Sequence, residues 1–112
     1  MLFLTLLFLK HYFVDFVLQT DEMIKEKGIY GSWGGINHST QHYIFTLLIA
    51  AFFVAPWLSV ALALLDGFLH YHIDWFKMNY GNRDITNKLF WNHLGLDQLA
   101  HSLTYIGLVC LV

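Results

Sequence analysis

Charge is what this chain has least of. Only 12% of its 112 residues are Asp, Glu, Lys or Arg, about half the roughly 25% of an average soluble domain. From Tyr43 to Leu65 there is none. The net charge of −2 with neutral histidines provides no basic field for a phosphate backbone, which argues against nucleic acid as a partner. The one cysteine, Cys110, lies in an apolar run, so neither a disulfide framework nor a zinc knuckle is expected. There is no internal repeat and no low-complexity tract. The opening MLFLTLLFLK lacks a basic n-region and a small-residue cleavage site. It reads as a retained first span, not a removed signal peptide.

Apolar residues are what it has in excess, at 57% against the usual 45–50%. They fall into four stretches, about 2–19, 38–55, 57–78 and 93–112, each near the ~20 residues that cross a bilayer. The expected fold is all-α: a polytopic membrane protein, an antiparallel four-helix transmembrane bundle forming a single domain over 1–112. Polar loops at 20–37 and 79–92 join the spans. The only proline, Pro56, decides the middle. Residues 42–76 would make a helix about 52 Å long at 1.5 Å per residue, too long for one crossing of a ~30 Å core. Proline lacks a backbone donor and disfavours helix at the residue before it. Ala55-Pro56-Trp57 therefore reads as a hairpin turn; a single long kinked helix is the rival. In the first loop, Thr20 or Asp21 is an N-cap candidate and Asp21–Lys27 a short interfacial helix. Gly28, Gly31, Gly34 and Gly35 suggest a flexible stretch.

Lys25, Lys27, Lys77, Arg83 and Lys88 all lie in or beside the two loops, while the opposite ends of the spans carry no Lys or Arg. The positive-inside rule then puts both loops in the cytoplasm and both termini outward, in a bacterial inner membrane. Trp57 on one side and Trp75 and Trp91 on the other suit interfacial belts.

Four ionisable pairs break the apolar pattern at a spacing of four: His11/Asp15, His38/His42, His70/Asp74 and Asp97/His101. That spacing puts both side chains on one helix face. Ionisable groups in a span cost roughly 2.5–3.5 kcal/mol each and are seldom idle. Following the chain up and down puts all four pairs in the cytoplasmic half of the bundle. Asp66, His70, Asp74 and Lys77 extend one stripe, and His93, Asp97 and His101 another. His72 faces away from His70, and Lys10 lies off the His11 face.

Imidazole and carboxylate suit zinc first, and also iron, manganese or nickel. The candidate ligands are His11, Asp15, His38, His42, His70, Asp74, Asp97 and His101. Gln19, Asp66, Lys77 and Gln98 are candidates for supporting these ligands or facing a substrate. Eight groups exceed one metal's coordination, which leaves one ion with supporting residues or two ions. Three or four clustered aspartates lean toward two divalent cations, since bare carboxylates buried together would take up protons. An isolated His/Asp pair would more simply be a hydrogen bond between spans, and a proton relay is the main rival to a metal. A bis-histidine haem would leave the aspartates unexplained.

The run His11-Tyr-Phe-Val-Asp15-Phe-Val-Leu-Gln19-Thr-Asp21 with Lys27, the segment His38-Ser39 with His42, the run His70-Tyr-His-Ile-Asp74-Trp-Phe-Lys77 and the run Asp97-Gln98-Leu-Ala-His101 together resemble the small bacterial and phage membrane proteins of domain-of-unknown-function family 3307. The resemblance covers nearly the whole chain. It implies a polytopic membrane protein and brings no activity with it. A weaker likeness, through Gly67-Phe-Leu-His70 and Asp74, is to inner-membrane proteins labelled metal-dependent hydrolases.

Three functions follow as expectations. One is metal-dependent hydrolysis of a lipid or lipid-linked substrate at the cytoplasmic interface, with Lys77 and Arg83 on an anionic head group. The second is metal or proton transport, disfavoured because the outer half holds only Thr5, Thr46, Ser59 and Thr104 as polar groups. The third is a non-catalytic protein with a structural metal or hydrogen-bonded core. Small-residue faces such as Ala50/Ala51 and Ala61/Ala63 would suit a homo-oligomer.

Overall fold

A computed structural model describes residues 1–112, all of its regular structure helical. Helix α1 spans Leu2–Tyr12 and runs on into a π-helical segment, Phe13–Leu18. Helix α2 is Asp21–Glu26, α3 Trp33–Ala50, α4 Pro56–Tyr80 and α5 Lys88–Cys110.

Side-chain caps set three of the helix starts. The Thr20 hydroxyl accepts from the Met23 N–H, Ser32 from Gly35 and Asn87 from Leu89, each satisfying an N–H that the helix cannot. The last two caps explain why α3 starts at Trp33 and α5 at Lys88, earlier than apolarity alone suggests. Gly34 and Gly35 are thus the first turn of α3, not a flexible stretch. A Cβ on Gly34 would meet the Glu26 side chain at 2.5–2.8 Å, and the Glu26 carboxylate accepts the Gly34 N–H. Gly31 alone adopts a positive φ, 81°. The chain reverses through residues 51–54, ahead of the expected Ala55-Pro56-Trp57 turn, because Pro56 opens α4, where its missing N–H costs nothing.

The four long helices pack in the cyclic order α1–α3–α4–α5, and side-chain pairings give the directions. Phe3 of α1 stacks on Phe53 just beyond α3, whereas Asp15 meets His42 midway along α3. Thr46 meets Asp66, and His38 meets His70. Asp74 meets His101, and Lys77 meets Asp97. Phe8 meets Tyr105, and His11 meets Gln98. Residue numbers rise on one helix as they fall on the next, so every neighbouring pair is antiparallel. Gly67 permits the close approach of α3 and α4: a Cβ there would lie 3.3 Å from the Ser39 carbonyl and from Tyr43 Cβ.

Taken singly, no helix is long and apolar enough to cross a membrane, which corrects the expectation of four self-sufficient spans. The polar stripes are the reason: α4 alone carries Asp66, His70, His72, Asp74 and Lys77. Packing turns those stripes inward. Of 25 buried residues, nine are hydrophobic and 13 polar or charged, the reverse of a water-soluble core. Phe3, Leu7, Ala50, Leu62, Tyr105 and Leu108 form an apolar cluster toward one end. The polar interior fills the other.

Candidate metal centre

All eight residues of the four pairs are buried, and they meet. The π-helical segment turns Val14 and Asp15 inward together, an insertion of a kind often found at functional sites. Asp15 becomes a hub. Its Oδ1 lies 2.8 Å from His42 Nε2, 3.1 Å from His38 Nε2 and 3.4 Å from His70 Nε2. Its Oδ2 lies 3.3 Å from His11 Nε2. Asp74 is the second hub. Its Oδ2 is 3.4 Å from His38 Nε2 and 3.3 Å from His70 Nε2, and its Oδ1 is 3.2 Å from His101 Nε2. Asp97 Oδ1 follows at 3.5 Å from His101 Nε2. The rings of His42, His70 and His101 form a stack with centroids 3.4 and 4.1 Å apart.

These atoms fall into three overlapping groups able to hold an ion: His11, Asp15, His42 and His70; His38, His70 and Asp74; and Asp74, Asp97 and His101. His70 joins the first to the second, and Asp74 the second to the third. Bonds of about 2.0–2.2 Å to a tetrahedral or octahedral ion put neighbouring ligand atoms about 2.8–3.6 Å apart. The 3.2 Å between His38 Nε2 and His70 Nε2 falls in that range, as do the carboxylate separations. Asp74 Oδ2 and Asp97 Oδ1 are buried without a hydrogen-bond partner, an arrangement that costs free energy unless something else satisfies them. The donor set fits a divalent cation.

Hydrogen bonds separate roles within the cluster. Gln98 Oε1 accepts from His11 Nε2, while the Tyr105 hydroxyl reaches His11 Nδ1. The Gln98 amide nitrogen donates to Asp97, which fixes the orientation of the side chain. His42 Nδ1 receives the Lys10 ammonium at 3.0 Å, so the proton of a neutral ring sits on Nε2 and points to Asp15. His42 thereby serves as an N–H donor to Asp15, and His11 as a donor to Gln98. His38, His70 and His101 are freer to turn Nε2 lone pairs inward.

Residues 3–112 match a family described as a protein of unknown function, DUF3307. The chain belongs to that family. No curated protein and no solved structure matches it. In this DUF3307 chain three lysines complete the centre. Lys10 is buried, ion-paired to Asp66, and also donates to Thr46; Thr46 in turn donates to Asp66. The resulting Lys10–Thr46–Asp66 knot lies one turn beyond the histidines, so Asp66 belongs to it and not to the ligand groups. Lys27 is buried beneath Asp74 at 3.4 Å and holds Gln19 at 3.1 Å. Lys77 pairs with Asp97 at 3.2 Å. Sequence reasoning placed Lys27 in a loop and left Lys10 unassigned. The available signal was Lys10's charge in an apolar run, which demands a buried counter-charge. His72 lies outside the centre, with the Tyr30 hydroxyl at its Nε2.

Proposed function

We propose that this chain is a membrane-embedded metal-dependent hydrolase acting on a lipid or lipid-linked substrate at the cytoplasmic face of a bacterial inner membrane. The observation that carries the reading is the buried convergence of three imidazoles and three carboxylates at ligand spacing, two carboxylate oxygens having no hydrogen-bond partner. His38, His70, Asp74 and Asp15 would hold one ion, and Asp74, Asp97 and His101 a second, with Asp74 shared; zinc suits the set best, then iron or manganese. Such ions polarise a substrate oxygen and make water nucleophilic near neutral pH. Asp97, one of the second ion's ligands, borders a groove between α4 and α5, from which water would reach that ion. His42 would hold Asp15 in position.

Membrane embedding rests on the whole surface and not on single helices. Thirty-three large hydrophobic residues are exposed. The exposed charged side chains, Asp21, Glu22, Lys25, Arg83, Asp84 and Lys88, all lie at one end of the bundle. The 25 residues of α4 extend about 37 Å, enough for a ~30 Å core. Trp57 at one end and Trp33 and Trp91 at the other are exposed where interfaces would fall.

A transport path finds less support. The Thr5, Ser59 and Thr104 hydroxyls each bond a carbonyl of their own chain four residues back, and the apolar cluster closes that end.

The test is elemental mass spectrometry on untagged protein purified in detergent, beside His70→Ala/Asp74→Ala. One or two equivalents of a transition metal, absent from the variant, are expected. No metal in either protein, both still helical by circular dichroism, would overturn the reading in favour of a hydrogen-bonded structural core. If chelation removed the metal and unfolded the bundle, and no lipid turnover accompanied the loaded protein, the metal would be structural.

A further inference from the structure

Two cavities meet beside the metal centre, and their linings differ. One is a groove of about 550 Å³ between α4 and α5, with Leu69, Ile73, Phe76, Leu96 and Ala100 along it. The other is a pocket of about 330 Å³ at the charged end of the bundle. Lys27, Lys77 and Arg83 line that pocket together with Gln19 and Asn82, and no carboxylate is among its lining residues. Lys77 and His93 line both cavities. Each volume lies within or near the roughly 300–1,000 Å³ of small-molecule sites.

The polar groups of the pocket are set to receive an anion. The Asn82 N–H donates to His93 Nδ1 at 2.7 Å, so a neutral His93 carries its proton on Nε2, free for a ligand. Arg83 is exposed on the loop after α4. That loop is held by Asp84, whose carboxylate accepts from the Thr86 N–H and hydroxyl; these bonds keep the Asp84 carboxyl below its ordinary pKa. Lys27 and Lys77 contact the metal-site carboxylates Asp74 and Asp97, so an anion on them would sit beside those carboxylates. The planar guanidinium fork of arginine matches phosphate geometry.

We infer that the two cavities form one site for a single-chain lipid bearing a phosphate head, the head in the Lys27–Lys77–Arg83 pocket and the hydrocarbon chain in the α4/α5 groove. This deepens the hydrolase reading by naming its substrate class, and it relies on that reading for turnover but not for binding. Arg83, the one cation of the pocket with no carboxylate partner, selects the phosphate. Lys77 and His93, which line both, put the two cavities side by side, as an amphiphile requires.

The experiment is calorimetric titration of the full chain in neutral maltoside micelles with three probes: a single-chain lipid phosphate monoester, the same chain on an uncharged glycerol head, and inorganic phosphate. The lipid phosphate is expected to bind at least about tenfold more tightly than either other probe. Arg83→Gln should weaken only the phosphate-bearing probes. Ala100→Phe, which fills the groove, should weaken the lipid phosphate but not inorganic phosphate; Leu96→Trp, at an exposed position, repeats that arm if Ala100→Phe fails to fold. Equal affinity for inorganic and lipid phosphate would overturn the lipid assignment, and equal affinity for charged and uncharged lipids would overturn the phosphate assignment. Metal content measured on the same samples separates the two readings. Lipid-phosphate preference in a metal-free protein would uphold the site and sink the hydrolase; bound metal without that preference would do the opposite.

Discussion

Lys10 shows what a single residue decides here. Its ammonium is buried against Asp66, Thr46 and the Nδ1 of His42, so it both neutralises one aspartate and sets which His42 nitrogen carries the proton. Removing one partner of a buried pair leaves an uncompensated charge, at a cost of about 3–5 kcal/mol, whereas replacing both with apolar groups is often neutral. Lys10→Met and Asp66→Leu should each lower the melting temperature sharply, and the double variant should recover most of the loss. A preserved melting temperature in either single variant would show that the pair is solvated. The hydrogen bonds also rank the histidines. With His11 committed to Gln98 and Tyr105, His11→Gln should keep its metal and His70→Ala should lose it, as read by elemental mass spectrometry. The four-residue spacing in the sequence identified all eight clustered residues. It gave no means of dividing ligands from donors, because that division depends on Lys10 and Gln98 arriving from other parts of the chain.

Among the elements, the α3/α4 pair is the most closely packed, and Gly67 is the reason. A methyl at this position would press on a backbone carbonyl and on Tyr43 Cβ, neither of which can swing away as a flexible side-chain end does. Gly67→Ala should cost about 1–3 kcal/mol, the usual scale of overpacking, seen as a lowered melting temperature with helicity retained. Gly95, with nothing near a Cβ there, should tolerate alanine and serves as the control. The π-helical insertion at Phe13–Leu18 was not legible in advance. Nothing in FVDFVL distinguishes a π turn from an α turn, and the wider turn is seen only in the structure, where it buries Val14 and Asp15 together. The caps Ser32 and Asn87, by contrast, stood in the sequence but lay outside the apolar runs, so hydropathy alone passed over the first turns of α3 and α5.

At the scale of the molecule the chain is inverted, with histidine, aspartate and lysine inside and leucine, phenylalanine and tryptophan outside. A surface of this kind should keep the protein in the membrane pellet through alkaline carbonate washing and release it only with detergent. Recovery in the soluble wash would sink membrane embedding. Orientation has its own check. With Cys110 replaced by serine, Asp84→Cys should resist a membrane-impermeant maleimide in intact cells and react after permeabilisation, because the proposed topology puts both charged loops in the cytoplasm. Labelling in intact cells would reverse the topology.

Sequence alone determined that the chain is helical, that its apolar runs break close to Pro56, and that four ionisable pairs share helix faces, since all three depend on local spacing and local backbone chemistry; the reversal itself falls at residues 51–54, just ahead of the proline. It also carried the family resemblance along nearly its whole length. Tertiary structure decided which polar groups face one another. No single helix is apolar enough to cross a membrane, and only the packed bundle hides the stripes that make it so. The pairing of Lys10 with Asp66 and of Lys27 with Asp74, and the meeting of a cationic pocket with an apolar groove, join residues far apart in the chain. Such contacts depend on how the helices rotate against one another, a quantity no local pattern encodes.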